Sequence, residues 1–255
     1  MTSASTTRPP LDLGLTTSPS TRTGDPLLLV PVGSTEQHGP HLPLATDTMV
    51  ATAVSRAAAE VLAARGNAVL VAPAIAYGAS GEHEGFPGTV SIGHEALMNL
   101  LIEYGRSACR WARGLIFVNG HGGNVQSVRQ SVELLRYEGR AVAWTSCDLP
   151  GADAHAGRTE TSLLLELAPQ TVRADEVEIG CVTPLVELMP RLRRDGIRAV
   201  SRNGILGDPR EASAHEGRQL FQTLVRNLVL ELQTLDVMDD GRLSPSGAAQ
   251  RVVLP

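Results

Sequence analysis

The sequence predicts an α/β fold in which a parallel sheet carries helices on both faces. Short continuous apolar runs recur along residues 26–145, and each is followed by a loop and then by apolar residues at helical spacing. Strand, loop and helix follow one another four times, and parallel strands require such a helical crossover. The length of 255 residues suffices for one large domain with a full core.

The predicted strands are uninterrupted apolar runs, which is typical of strands buried on both faces of a sheet. They span residues 26–32, 68–72, 115–118 and 141–145. The first predicted helix has Val50, Val54 and Ala57 at helical spacing and ends at Gly66. Further helices are predicted over about residues 94–112, around 128–135 and over 216–235, with irregular or short elements at 182–194 and 198–209.

One domain is predicted over residues 25–238. Residues 1–24 are rich in Ser, Thr, Pro and Arg without apolar periodicity, so we expect a disordered N-terminal tail there. Residues 239–255 are expected to form a C-terminal tail.

Composition excludes several classes of function and favours a cytoplasmic protein. All 22 basic residues are arginine, which rules out a lysine Schiff base or a lysine general base. The net charge is −5 and no long arginine run is present, so no nucleic-acid partner is expected. No apolar run approaches the roughly 20 residues of a membrane span, and the N-terminus lacks a secretory signal. The three cysteines, none close to another, argue against a disulfide framework.

The first loop concentrates acids and histidines immediately after the first predicted strand. Residues 32–47 read V-G-S-T-E-Q-H-G-P-H-L-P-L-A-T-D and include Glu36, His38, His41 and Asp47. Glu36 and His38 are two residues apart, so an extended backbone directs both side chains to the same side. Two carboxylates and an imidazole that converge make half of a metal site. The alternative is a polar loop in which Asp47 only caps the next helix.

The later polar motifs also follow predicted strands. His83 lies in the loop after the second strand, N-G-H-G-G-N surrounds His121, and H-A-G-R-T-E carries His155 and Glu160. Loops that leave the carboxyl ends of parallel strands meet at one sheet edge, so these side chains predict one active site. The alternatives are a glycine-rich phosphate loop at His121 and a Thr159-capped helix with an incidental Glu160.

These motifs, in this order, resemble those of the creatininase family of metal-dependent amidohydrolases, over about residues 26–235. The motifs that carry the resemblance are G-S-T-E-Q-H-G-P-H-L-P-L-A-T-D, E-H-E-G-F-P-G-T, N-G-H-G-G-N, H-A-G-R-T-E-T-S and G-D-P-R-E-A-S-A-H-E-G. The resemblance implies a three-layer α/β/α sandwich with a mostly parallel sheet. It also implies two divalent ions, Zn, Fe or Mn, with Glu36 and His121 on one ion, His38 on the other, and Asp47 bridging.

The chain departs from creatininase itself at one metal ligand. There, the motif histidine is followed two residues later by a glutamate that binds the second metal, whereas this chain has Gly123. We therefore predict that Glu160 supplies the missing carboxylate, as both a metal ligand and a catalytic residue. By the same resemblance, His155 protonates the leaving amine or stabilises the tetrahedral intermediate. His83 and Arg158 are candidates for substrate binding.

Within the family, the chain is most similar to peptidases that release a C-terminal Val-Tyr dipeptide from a precursor peptide modified by a radical-SAM enzyme. This implies a homo-oligomeric hydrolase of C–N bonds that uses a metal-activated water on a peptide substrate. One alternative is a small-molecule amidohydrolase, acting on creatinine or on a formamide intermediate of flavin or deazaflavin synthesis. Creatininase encloses its small ring with tryptophans, but neither Trp111 nor Trp144 lies in the His155 motif. A non-catalytic metal-binding scaffold is a third alternative.

Overall fold

The computed structural model describes residues 11–21 and 24–244 of the chain. Its sheet contains four parallel strands in the order β2-β1-β3-β4. They are β1 (Leu27–Val32), β2 (Val69–Val71), β3 (Gly114–Asn119) and β4 (Val142–Ser146). Each lies where an apolar run predicted a strand.

Helices cover both faces of this sheet, so the predicted three-layer α/β/α sandwich is confirmed. The longer helices are α2 (Thr46–Ala64), α3 (Gly93–Ala108), α4 (Val125–Tyr137), α5 (Arg158–Leu167), α6 (Leu185–Asp195) and α7 (Ala214–Thr234), after a short α1 (Ser18–Thr21). Helices α2, α5 and α7 pack with Leu27 and Leu29 of β1 in one hydrophobic cluster. Helices α3 and α4 pack with Leu28 and Val30 in a second cluster on the opposite face. Alternate residues of β1 therefore contact different helical layers, as the period-two geometry of a strand requires.

The register of the strands brings the loops of the site to one edge. Val32 at the end of β1 is aligned with Asn119 at the end of β3, and Asn119 is aligned with Ser146 of β4. The segments that follow these strands carry the Glu36, His121 and His155 motifs. The fold thus explains why residues far apart in sequence meet.

Residues 185–195 form one helix in a part of the chain where irregular or short elements were expected. They form helix α6 despite Pro190 within it, and Gly196 at φ 75° ends the helix. A small hydrophobic cluster holds α6 in place, with Leu192, Ile197 and Leu206 buried at its centre. Tertiary packing here overrides the unfavourable local effect of the proline.

Parts of both expected tails contact the rest of the domain. In the N-terminal segment, Asp12 forms a backbone bridge with Val71 and its carboxylate lies 2.9 Å from Arg56. At the other end, the backbone NH of Trp144 donates to the carbonyl of Gly241, and Leu243 is fully buried. The rest of the two predicted tails, residues 1–10, 22–23 and 245–255, lies outside the described residues.

Within the described part, no helix is long and apolar enough to cross a membrane.

Candidate metal centre

The loop after β1 holds Glu36 and His38 beneath the start of α2. Both side chains are fully buried, and the backbone NH of Glu36 donates to the carbonyl of Leu44 at 3.0 Å. Gly39 has a φ of 67°, and a Cβ there would lie 2.7 Å from Ile205 Cγ1, so the turn requires glycine. Asp47 follows in the first turn of α2, where the helix dipole favours a carboxylate. The loop and the helix thus present three ligand-type groups to one point.

His121 and Glu160 complete two overlapping groups around Asp47. His121 Nε2 lies 3.1 Å from Glu36 Oε2, and its Nδ1 lies 3.3 Å from Asp47 Oδ2. On the other side, His38 Nε2 lies 3.0 Å from Asp47 Oδ1 and 3.8 Å from Glu160 Oε2. The ligand atoms of Glu36, Asp47 and His121 lie within 4.8 Å of one another, and so do those of His38, Asp47 and Glu160. Asp47 belongs to both groups, as expected of a bridging carboxylate.

His155 and His83 flank the cluster. The His155 ring centroid lies 4.3 Å from that of His38 and 4.4 Å from that of His83. His83 Nε2 lies 3.2 Å from Glu36 Oε1, and His155 Nδ1 lies 3.8 Å from the same oxygen. The ligand atoms of Glu36, His38 and His155 also lie within 4.8 Å of one another and form a third group. The predicted site residues other than Arg158 are therefore brought together.

A strained turn directs His155 and Glu160 into the site. Ala156 between them is buried and has a φ of 51°, and its NH donates to Glu160 Oε2 at 2.6 Å. The start of α5 is capped by Asp153, whose Oδ1 accepts from the NH of Thr159 at 3.0 Å. Capping by Thr159, the alternative considered for this motif, is therefore not what the structure has.

The protonation states show how this cluster balances its charges without a metal. Burial alone would lower the pKa of His38, but the carboxylate of Asp47 raises it to about 10. Burial opposes the charged form of His121 in the same way, and Glu36 and Asp47 raise its pKa well above the ordinary value. Burial would raise the pKa of Asp47, but His38 holds it well below its usual range. The raised pKa values favour protonated His38 and His121, whose positive charges offset the carboxylates of Asp47 and Glu36.

The pKa values of His155, His83 and Glu160 shift so that each of these groups favours its neutral form. Burial and the positive His38 lower the pKa of His155 well below its ordinary value, so His155 is neutral. Burial and the neighbouring His155 lower the pKa of His83 to about 2. Burial raises the pKa of Glu160 to about 7, against the attraction of His38.

The donor set fits divalent metal ions. Glu36 is fully buried, yet neither of its carboxylate oxygens receives a hydrogen bond. Such a group is costly to bury unless a cation compensates it. Imidazole and carboxylate ligands without thiolate suit Zn²⁺, Mn²⁺ or Fe²⁺. His38 Nδ1 lies 3.1 Å from the carbonyl oxygen of Glu36, which accepts its proton and leaves Nε2 for the metal.

Two functional positions were missed from the sequence. The side-chain nitrogen of Gln37 lies 2.9 Å from His83 Nδ1 and 3.1 Å from His155 Nε2, and it also donates to the carbonyl of Gly204. Glu82 Oε1 lies 3.7 Å from His121 Nε2. The one sequence signal for Gln37 was its position between Glu36 and His38. However, alternation along an extended backbone predicts that the Gln37 side chain points away from the side chains of Glu36 and His38.

Arg158 is not part of the cluster. Its Nε lies 2.8 Å from Glu216 Oε2 and its Nη1 lies 3.1 Å from Glu211 Oε2. These ion pairs connect the start of α5 to the first turn of α7 and to the segment before it. Arg158 thus makes no contact with the cluster that would support the expected role in substrate binding.

A cavity of about 1040 Å³ opens over the cluster. Asp47, His83, His121, His155 and Glu160 line its floor, and helix α6 forms part of its wall. A cavity at the carboxyl edge of a parallel sheet, with buried metal-type ligands at its base, defines a metal-dependent hydrolase centre on an α/β/α sandwich.

The comparisons place this centre in a family. The family model for creatininase, described as creatinine amidohydrolase, matches residues 16–232, and the chain belongs to the creatininase family. The chain is 57% identical over 217 residues to the mycofactocin precursor peptide peptidase of Mycolicibacterium smegmatis, which covers 85% of this chain and 88% of that protein. It is 33% identical over 237 residues to the creatinine amidohydrolase of Pseudomonas putida, covering 80% of this chain and 88% of that protein.

Solved structures agree with this assignment. A crystal structure of creatininase matches with a TM-score of 0.74 and 26% identity over 88% of this chain and 97% of the other. A creatininase described as the Mn form and a variant of the Zn-Zn type match with TM-scores of 0.74 and 0.73, each over 88% of this chain and 98% of the other. This chain is accordingly a metal-dependent hydrolase of C–N bonds, with a site for divalent metal.

Proposed function

We propose that this protein is a peptidase that releases the C-terminal Val-Tyr dipeptide from the modified mycofactocin precursor peptide. The observation that carries the proposal is the 57% identity to the mycofactocin precursor peptide peptidase of Mycolicibacterium smegmatis over most of both chains. The cavity supports it, because about 1040 Å³ is enough space for several residues of a peptide above the cluster.

Two divalent ions per subunit belong to this proposal. Glu36, Asp47 and His121 would hold one ion, and His38, Asp47 and Glu160 the other. When bound, such ions polarise an amide carbonyl and bring the pKa of a water toward about 7, which makes a nucleophile at neutral pH. Each group of three leaves room for exogenous ligands, as in catalytic rather than structural sites.

His155 is positioned to move a proton. Its Nε2 lies 2.8 Å from the carbonyl oxygen of Gln37, which can only accept, so Nε2 carries the hydrogen. Because His155 is neutral, its Nδ1 is then unprotonated, and it faces Glu36 at the base of the cavity. His155 would take at Nδ1 the proton that the attacking water loses, and would give it to the nitrogen of the departing dipeptide as the C–N bond breaks. Glu160, with a pKa of about 7, is a second group able to exchange a proton near neutral pH.

The alternative of creatinine hydrolysis has less support in the cavity. Trp144 is buried in the core beside β3, and Trp111 lies just after α3, so neither tryptophan lines the cavity. A small ring would be left without the aromatic enclosure that creatininase provides. The 33% identity to the Pseudomonas putida enzyme is compatible with a shared centre and a different substrate.

Dipeptide release tests the proposal directly. The metal-loaded enzyme is incubated with the radical-SAM-modified precursor, and Val-Tyr is quantified by mass spectrometry, with creatinine in a parallel reaction. We expect Val-Tyr release, its loss after prolonged chelation, and its return when Zn²⁺, Mn²⁺ or Fe²⁺ is added. Full activity in a preparation shown to be metal-free would contradict the metal mechanism. Creatinine turnover without dipeptide release would contradict the peptidase assignment.

A further inference from the structure

We propose that helix α6 recognises the C-terminal carboxylate of the peptide substrate through Arg193. This inference rests on the proposed peptidase function and adds the group that distinguishes a C-terminal dipeptide from an internal peptide bond. The two ends of such a leaving group differ in chemistry, because one is the scissile amide and the other is an anion. A cation at a fixed distance from the metal centre would bind that anion and so recognise the C-terminus.

One face of α6 is directed into the cavity. Leu185, Met189 and Arg193 are spaced four residues apart, which places them along one side of the helix, and all three line the cavity. Leu192 also lines the cavity, and Leu188 and Met189 pack against it in the small hydrophobic cluster. The cavity side of α6 is thus an apolar stripe that ends in a positive charge. Such a surface fits the Val and Tyr side chains of a dipeptide and its terminal carboxylate.

Of the four arginines that line the cavity, Arg193 is the one without a partner among the residues that the structure describes. Among the arginines lining the cavity, Arg194 pairs with Asp195 at 2.9 Å and Arg129 lies 3.7 Å from Glu133. Arg198 donates to the carbonyl of Gly85 at 2.7 Å and lies over the Phe86 ring. Within residues 11–21 and 24–244, the guanidinium of Arg193 makes no ion pair or hydrogen bond. It is therefore free to bind an incoming carboxylate.

The end of α6 lies close enough to the metal centre for this role. Gly196, which ends α6, lies against Glu82, since a Cβ on it would be 3.0 Å from the Glu82 carbonyl oxygen. The side chain of the same Glu82 lies 3.7 Å from His121. Arg193 precedes Gly196 by three residues, which is about 4.5 Å along a helix axis. An extended dipeptide places its terminal carboxylate about 7 Å beyond the scissile carbonyl, a span that an arginine side chain on this turn can meet.

A substrate-and-variant cycle tests the contact. The modified precursor is prepared with a free C-terminal carboxylate and with a C-terminal carboxamide, and both are cleaved by the wild type and by Arg193→Gln. We expect amidation to lower wild-type kcat/KM about 10- to 100-fold, mainly through KM, because a charge-assisted hydrogen bond is lost. Arg193→Gln should lose a similar factor on the carboxylate substrate and show little further loss on the carboxamide.

The matched control is Arg194→Gln, in which the altered guanidinium already pairs with Asp195 and the carboxylate preference should remain. Metal content and circular dichroism confirm that the variants are loaded and folded. Binding of the product Val-Tyr and of Val-Tyr amide, measured by calorimetry, gives a readout independent of turnover. Here too, the preference for the carboxylate should disappear only in Arg193→Gln.

Two outcomes would overturn the inference, and they differ from failure of the proposed function. Equal cleavage of both substrates by the wild type would show that the terminal carboxylate is not read, while the peptidase function stands. A preference that survives Arg193→Gln but disappears in Arg198→Gln or Arg129→Gln would place recognition elsewhere. Release of no dipeptide from either substrate by the metal-loaded wild type would instead reject the peptidase function, and this inference with it.

Discussion

At the scale of single residues, Glu36 determines the chemistry of the centre. Its carboxylate is fully buried and lies within 3.2 Å of the imidazoles of His83 and His121. Burial would raise the pKa of Glu36, but the positive charge of His121 lowers it, so the group stays ionised. A buried anion of this kind is retained because a cation, proton-bound or metallic, compensates it.

His155→Ala tests the proton-transfer role. We expect kcat for dipeptide release to fall by about 10²–10⁴-fold, because general acid–base catalysis contributes on this scale, while metal content stays near that of the wild type. Metal analysis and steady-state kinetics check this, with the exposed His215→Ala as the control. Loss of one metal equivalent would instead show that His155 is a ligand, together with the neighbouring Glu36 and His38.

Glu160→Gln tests the assignment of the second metal group. A neutral amide binds a divalent ion far more weakly than a carboxylate, so occupancy of one metal should fall and most activity should be lost. Glu166→Gln is the matched control, since Glu166 lies on the same helix and pairs with the exposed Arg218. Two tightly bound ions in Glu160→Gln, measured by metal analysis after dialysis, would show that Glu160 is not a ligand.

At the scale of elements, the turn between β3 and α4 determines where His121 lies. A Cβ at Gly123 would overlap the carbonyl oxygen of Ala79 and Nε2 of His121, and would lie 2.7 Å from Glu82 Oε1. A Cβ at Gly122 would meet nothing within 4 Å. A side chain at position 123 is therefore excluded here by the neighbouring backbone and by Glu82.

The two glycines make a matched pair of variants. Gly123→Ala should displace His121 and lower metal occupancy and activity at least 10-fold, because the Ala79 carbonyl cannot move as freely as a side chain. Gly122→Ala should bind metal as the wild type does. Metal titration followed by calorimetry distinguishes them, and equal affinity in both variants would contradict the packing argument.

At the scale of the whole molecule, the buried charges couple folding to metal binding. Without metal, the folded chain keeps a proton on His38 up to a pKa of about 10, whereas an unfolded histidine releases it near 6.5. A raised pKa contributes stability that is complete below pH 6.5 and is lost as the pH rises toward 10. His121 shifts in the same direction. The pKa values of His83 and His155 are lowered, so above pH 6.5 these two groups do not change the free energy of unfolding with pH.

The metal-free protein should therefore become less stable as the pH rises from 7 to 9. The metal-loaded protein should show a much smaller change, because His38 and His121 no longer hold the exchangeable protons. Denaturant unfolding of both forms at several pH values measures the slopes. Parallel slopes for the two forms would contradict the protonation of His38 and His121 in the metal-free state.

Much of this molecule follows from local sequence. The apolar runs located all four strands, and the position of polar motifs after those strands placed Glu36, His38, Asp47, His83, His121, His155 and Glu160 at one edge. That inference works because parallel strands connected by helices have their carboxyl ends on the same side. Alternation within the extended loop likewise oriented Glu36 and His38 together.

Tertiary structure decided what depends on contacts between distant segments. Helix α6 forms around Pro190 because Leu192 is buried against Ile197 and Leu206, a gain that local propensity does not contain. Arg158 lies away from the site because it forms ion pairs with Glu211 and Glu216. Gln37 and Glu82 reach the histidines only in the folded chain, where segments separated by tens of residues meet. The sequence by itself thus determined the strands and the ligand types, whereas the fold decided which charges face one another, because that depends on distances through space.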